Sequence, residues 1–319
     1  MLKIIKKIES SKTFIIAGHI NPDGDCVGSM LALAEFLMNK GKEVTLFCPN
    51  KIPEFYRFLK FSERIKYTLD AKKKYDVFIS LDTGSLDRLG AAEKKIKQCG
   101  YVINIDHHVS NTLFGNLNYV KEKSAAVGEM LFDFFKKQKI SITPSMAQSL
   151  YVSIATDTGY FQYSSVTAKT FKIAAQIIGY GVNVSEVSQK LQCFRTLNSY
   201  KLLGMVLGSI EVDEAAGIGS MIVTQEMFKK TNTSFEDTEE FINYLRSIKG
   251  VKVALFFKEK EDKNVKVSVR SLEDFDSNKF SLKFGGGGHV RASGFNYDGD
   301  IGVCRREVVK ECKKEMLNF

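Results

Sequence analysis

Short apolar runs alternate with stretches of helical periodicity through the first half of the chain. Residues 13–18 (TFIIAG), 44–48 (VTLFC), 75–82 (YDVFISLD) and 101–106 (YVINID) have the length and β-branched or aromatic content of buried strands. After the first of them, Val27, Met30, Leu31, Ala34, Leu37 and Met38 recur at helical spacing. This predicts a helix from Val27 to about Asn39, stopped by Gly41. Further helical stretches cover 124–137 and 145–155. Strands interleaved with helices predict an α/β fold with a parallel, doubly wound sheet covered on both faces. In such sheets ligands sit beyond the carboxyl ends of the strands, so polar residues there carry most weight.

The pattern changes further on. From about 167 to 206 it is helical, and 186–210 reads as a connecting helix with its flanking turns. The remainder reads as a smaller α+β unit. GIGSMIVT (217–224) is a strand and a helix follows at about 235–248. VKVALFFKEK (251–260) and NVKVSVRS (264–271) form a hairpin around Glu261–Lys263, and a closing helix covers about 303–317. The expected organisation is a catalytic domain over 1–185, a helical linker over 186–210 and a substrate-binding domain over 211–319. No internal repeat or low-complexity segment interrupts it.

Composition narrows the class without deciding it. A chain of 319 residues, 44% apolar and 11% aromatic, can fill two cores. Lysine plus arginine outnumber aspartate plus glutamate by 46 to 37, a formal charge of +9 that favours polyanionic partners such as nucleotides or RNA. Solvated lysine-rich faces give the same balance, so charge alone decides nothing. Cys26, Cys48, Cys99, Cys193, Cys304 and Cys312 form no CxxC pair and read as reduced thiols. No apolar run approaches the ~18 residues of a membrane span, and the one before His19 is too short for a signal sequence. A soluble, cytoplasmic protein with no membrane partner is expected.

Four polar signals fall where ligands are expected, each read as the end of a strand. His19-Ile-Asn-Pro-Asp23-Gly-Asp25 puts one histidine and two aspartates on a short loop, where they can converge on a cation. A helix cap would account for Asp25, but not for His19 or Asp23. Asp82 closes YDVFISLD, and Asp106-His107-His108 closes YVINID. Adjacent side chains leaving a strand diverge, so one histidine can bind metal while its neighbour faces substrate. Asp157 lies in Ala-Thr-Asp-Thr-Gly. Three of the four histidines of the chain occupy these segments. The fourth, His289, follows Gly285, Gly286, Gly287 and Gly288 and precedes Arg291. Amides of such a run, near a helix start, could cradle a phosphate.

In order and context, His19-x-x-x-Asp23-x-Asp25, Asp82, Asp106-His107-His108 and Asp157 resemble the four motifs of the DHH phosphoesterases. Gly286-Gly287-Gly288-His289-x-x-Ala292-Ser293-Gly294 resembles the signature of the associated DHHA1 domain. Ser293 is the departure, since the family often has alanine there. Size and layout are similar to the stand-alone bacterial oligoribonuclease and pAp phosphatase group, the nanoRNases. A RecJ-type exonuclease would be larger, and a family II pyrophosphatase lacks the glycine-rich ending.

The resemblance implies two divalent metal ions, usually Mn2+. His19, Asp23 and Asp82 would hold one, and Asp25, Asp82, His107 and Asp157 the other, with Asp82 bridging. Asp106 would orient a ligand, while His108 contacts the scissile phosphate and protonates the leaving oxygen. Arg270, the loop Gly285–Gly288, His289 and Arg291 would bind substrate. The implied activity is hydrolysis of short oligoribonucleotides to mononucleotides, of pAp to AMP and phosphate, or of both. Linear or cyclic dinucleotide signals are the alternative substrates. A nucleotide-sensing or single-strand-binding protein is the non-enzymatic alternative, and binding alone would not need so many metal-type ligands. The expected partner is a short RNA or a nucleotide, and a homodimer is compatible with the layout.

Overall fold

The structure, a computed structural model, describes residues 2–192, 195–260, 264–272 and 275–316. The chain divides into two compact units, Met1–Phe194 and Arg195–Phe319. No helix among the described residues is long and apolar enough to cross a membrane.

The first unit opens with helix α1 (Leu2–Glu9) and strand β1 (Thr13–Ala17), followed by α2 (Gly24–Asn39) and β2 (Glu43–Phe47). Then come β3 (Ile65–Lys66), β4 (Val77–Leu81), α3 (Glu93–Ile96), β5 (Val102–Asp106) and β6 (Leu117–Val120). Four helices close the unit: α4 (Val127–Lys137), α5 (Pro144–Asp157), α6 (Ala168–Ile178) and α7 (Val184–Gln192). The sheet order is β3-β2-β1-β4-β5-β6 and every pairing is parallel. Side chains alternate across it. Phe14 and Ile16 join the large core under α2, α4 and α5, whereas Ile15 and Ala17 join a smaller core with Phe78, Leu89 and Ala92. Each fully buried isoleucine or phenylalanine contributes roughly 1.5–3 kcal/mol relative to exposure.

This topology positions the site. After β1 the chain builds toward β2 and β3 on one side, and from β4 it builds toward β5 and β6 on the other. The crevice between β1 and β4 is therefore the topological switch point, where open α/β sheets bind ligands.

The second unit contains α8 (Leu197–Leu207), β7 (Glu211–Asp213), β8 (Ile218–Val223), α9 (Gln225–Thr231), α10 (Ile242–Arg246) and β9 (Val253–Glu259). It continues through β10 (Asn264–Ser271), α11 (Ser277–Leu282), β11 (Gly287–His289), β12 (Ala292–Asp298) and α12 (Ile301–Met316). Its sheet, ordered β11-β12-β10-β9-β8-β7, is antiparallel except for the β8–β9 pair. One face packs on α11 and α12, the other on α8 and α10.

Some expectations change in detail. The segment 186–210 contains most of α7 and all of α8 rather than one helix. The helix expected at 235–248 is a 3-10 turn (Phe235–Thr238) and the separate α10, because Glu240 turns left-handed at φ 62° between them. The turn expected at Glu261–Lys263 lies outside the described residues, although β9 and β10 pair antiparallel as a hairpin requires.

Candidate metal centre

The loop after β1 is shaped from both ends. Asp23, not Asp25, caps α2, accepting the Cys26 amide at 3.0 Å. The helix starts earlier than periodicity indicates because Gly24 lies against α5, where a Cβ would collide with Thr156. This frees Asp25 for another task. The His19 Nδ1 proton goes to the Ile20 carbonyl, 2.8 Å away, which leaves Nε2 with an open lone pair. That nitrogen faces Asp82 Oδ2 at 3.3 Å and Asp23 Oδ1 at 3.8 Å.

Asp82 leaves β4 in the left-handed region, at φ 53°. For a residue with a Cβ this costs roughly 1–2 kcal/mol, and such strain collects at functional sites. The carboxylate is 3% exposed, and among the described residues its Oδ1 accepts no hydrogen bond.

Asp25 is held by the N-terminus of α4, accepting the Val127 amide at 2.7 Å and the Gly128 amide at 3.2 Å, and by the Ser153 hydroxyl. His107 donates Nδ1–H to the Ser124 carbonyl at 2.9 Å. Its Nε2 lies 3.3 Å from Asp157 Oδ2, 3.5 Å from Asp82 Oδ1 and 3.8 Å from Asp25 Oδ2. Asp157 corrects the strand-end reading, because it closes a helix. Thr143 and Pro144 start α5, which runs unbroken past Ala155 and delivers Asp157 beside His107.

Potential ligand atoms of His19, Asp23 and Asp82 lie within 4.8 Å of one another, and so do those of Asp25, Asp82 and His107. The two groups share Asp82 and its two oxygens. His108 turns differently. Its Nδ1 donates to Asp106 Oδ1 at 2.7 Å, and Asp106 Oδ2 accepts from Asn111, itself tied to Asn104 at 2.8 Å. Asp106 is fully buried and acts on its neighbour's ring.

Electrostatics favour a cation here. Burial, followed by the charges of Asp82 and Asp157, pushes Asp25 well above the usual carboxylate range. Burial, with Asp82 and Asp23, pushes Asp157 up to about 7, although His107 opposes this. Burial alone would pull His19 and His107 down. Their carboxylate neighbours, and the Cys26 thiol beside His19, raise both well above the ordinary imidazole value. Buried carboxylates crowded around an orphaned oxygen, with two imidazole Nε2 atoms whose lone pairs a cation would take in place of a proton, fit divalent cations that accept mixed nitrogen and oxygen donors.

The signs give a pH prediction. Groups with raised values stabilise the folded state fully below their unfolded values, and that contribution drains away as pH rises through the folded ones. Asp82 is lowered, so its contribution is lost only in acid. Metal-free protein should therefore melt lower at pH 8 than at pH 6, while the rise in Tm on adding Mn2+ should be larger at pH 8. A metal-induced shift that is independent of pH in thermal unfolding would place the cation elsewhere.

The second unit gathers only part of its expected set. Arg270 on β10 and His289 on β11 both stand opposite Ala292 of β12, so all three share one sheet face. Arg291 does not join them and donates to the Phe275 carbonyl at 3.3 Å. The glycine run follows the end of α11 and leads into β11, so it opens no helix. The amides of Gly285, Gly286 and Gly288 donate to Leu282, Ser281 and the Asn278 side chain at 3.1, 2.9 and 2.9 Å. Gly286 is required because a Cβ would strike the Gly294 carbonyl of β12. The run therefore serves close packing within the chain, and three of its amides are already spent. Ser293 uses its hydroxyl, 2.6 Å from Ser277 O and from Ser281 Oγ.

Asn104, Asn111, Ser124, Ser153 and Arg88 are the neighbours that sequence reasoning missed. Only Asn104, a polar residue inside the apolar strand YVINID, carries a local signal.

Residues 13–154 match the DHH family, N-terminal domain, and residues 219–317 match the DHHA1 domain. The chain belongs to the DHH family of phosphoesterases, in the arrangement that adds a DHHA1 domain. More particularly, it is 31% identical over 315 residues to the bifunctional oligoribonuclease and PAP phosphatase NrnA of Thermus thermophilus, a match covering 98% of this chain and 93% of that protein. An exopolyphosphatase-related protein from Bacteroides fragilis shares the fold at a TM-score of 0.91 and 26% identity, over 98% of this chain and 95% of that one. The exonuclease RecJ bound to manganese aligns over 99% of this chain and 94% of that one, at a TM-score of 0.54 and 13% identity, a likeness of fold alone.

Proposed function

We propose that this chain hydrolyses short oligoribonucleotides to mononucleotides and pAp to AMP and phosphate, using two Mn2+ ions. The observation that carries this reading is the pair of ligand groups meeting at Asp82, each within 4.8 Å. His19, Asp23 and Asp82 would hold one ion, and Asp25, Asp82, His107 and Asp157 the other. When bound, such ions acidify a water and stabilise charge on phosphoryl oxygens. The chain's own groups do the rest. Asp106 fixes the Nδ1–H of His108, so Nε2 is the atom that hands a proton to the leaving oxygen. Arg270 offers a guanidinium fork to a substrate phosphate, with His289 beside it on the sheet. The name of the Thermus thermophilus relative supports both substrates. The described cysteines are free thiols, in keeping with work in the cytoplasm.

The test offers purified protein and Mn2+ with pAp and labelled RNAs of about two to twenty-four nucleotides. Arg270 and His289 serve one phosphate or one nucleotide, whereas a long basic groove would gain affinity with every added phosphate. Substrates of roughly two to five nucleotides should therefore outpace the longest at equal concentration. Arg270→Ala should raise KM for the short ones about ten- to hundred-fold with a smaller change in kcat. Long RNA degraded as fast as dimers, with Arg270→Ala harmless to both, would remove the oligoribonuclease assignment.

A further inference from the structure

We propose that Arg88 grips a phosphate oxygen of the substrate beside the His19–Asp23–Asp82 half of the site. The inference rests on the two-metal reading above and adds to it a substrate contact from the first unit. Arg88 lies in the 3-10 stretch Leu86–Ala92, and its carbonyl accepts the Ile20 amide at 2.8 Å. That bond ties its backbone to the His19 loop. Its Nη2 sits 3.3 Å from His19 Nδ1.

The contact is not a conventional hydrogen bond. His19 Nδ1 already spends its proton on the Ile20 carbonyl at 2.8 Å, so it has no lone pair in the ring plane to accept one from Arg88. Nor is Arg88 balanced by an acid, since it forms no ion pair with any described carboxylate. Asp82 and Asp23 face the opposite ring nitrogen, and the adjacent Asp87 is exposed. A fixed positive charge against the imidazole of a cation site works against cation binding, because like charges a few ångströms apart repel. A guanidinium held there without an acceptor or counterion is explained if an anion completes it. The anion that the site is built to receive is a phosphate, and a planar fork suits two of its oxygens. Arg88 is exposed and so can reach a ligand entering from solvent. Base identity plays no part in such a contact, which fits a substrate class that runs from pAp to short RNA of any sequence.

The decisive variants are Arg88→Met and Arg88→Lys, tested in the full chain loaded with Mn2+. Three quantities are read: kcat and KM on pAp, affinity for inorganic phosphate by calorimetry, and affinity for Mn2+ in the absence of phosphate. Arg88→Met should lower kcat/KM about ten- to hundred-fold and weaken phosphate binding by a similar factor. Its Mn2+ affinity should be unchanged or tighter. Arg88→Lys should recover only a minor part, since an ammonium cannot reproduce the fork. Unaltered phosphate affinity in Arg88→Met would overturn the inference. So would a loss of Mn2+ affinity that tracks the loss of activity, because Arg88 would then act by positioning His19. Wild-type protein that binds no Mn2+ would sink the two-metal reading and this inference together, whereas the first two outcomes leave that reading standing.

Discussion

Asp82→Asn should abolish turnover, lowering kcat by at least about a thousand-fold, while the protein stays folded. Asparagine is the informative replacement because it tolerates the left-handed φ of 53° at this position, where alanine would add strain. The change removes one charge and little volume. Its effect on metal-free stability should be modest, because Asp25 and Asp157 are relieved of a like charge while His19 and His107 lose the ionised partner that helps hold Asp82 low. The effect on metal should be severe. Asp82 is the residue common to both ligand groups, and its Oδ1 is a buried oxygen left without a hydrogen bond. A ligand that binds only the native state stabilises it by an amount that grows with concentration over Kd, so losing the site removes the Mn2+-induced rise in Tm. The two readouts separate metal loss from misfolding. A variant that melts like wild type without metal, gains nothing from Mn2+ and turns over nothing meets the expectation. One that keeps a metal-induced shift and about a tenth of wild-type activity would show that the two groups do not share a bridging carboxylate.

How much of this was legible beforehand depends on where each interaction lies along the chain. β1, β2, β4 and β5 are buried on both faces, so they read as continuous apolar runs. The edge strands did not: β3 is only Ile65–Lys66, and the four residues of β6 are all half-buried. The histidine and aspartate loops stood out because several ligand types share a few residues. Asp157 stands beside His107, but its short motif, which reads as a strand end, does not reveal that α5 continues through it. The supporting shell was invisible for a simpler reason. Ser153 reaches Asp25 across 128 positions and Arg88 reaches His19 across 69, and no local pattern encodes such pairs. The glycine run was legible as a motif but not as a device. Its service to Gly294 and Asn278 appears only once β11 is seen lying on β12.

The adjacent histidines should separate chemistry from metal binding. His107→Ala should lose Mn2+, because Nε2 of that ring stands 3.3 to 3.8 Å from three carboxylates and Nδ1 is committed to Ser124 O. His108→Gln should keep near-normal metal content and lose about a hundred- to ten-thousand-fold in kcat, the usual worth of a positioned general acid. The dyad supports that division. Burial pulls His108 toward its neutral form, but the hydrogen bond to Asp106 and the charge of Asp82 outweigh it and raise the ring above its ordinary value. A ring whose protonated form is favoured in this way can deliver a proton to a departing alkoxide. The need for that proton depends on the leaving group. A nucleotide p-nitrophenyl ester releases a phenolate that departs without protonation, so the His108→Gln defect should shrink sharply on it, while the His107→Ala defect should not. If His108→Gln instead loses metal, the roles of the two rings are exchanged. If its defect is equally deep on both esters, His108 binds the phosphate without acting as the acid.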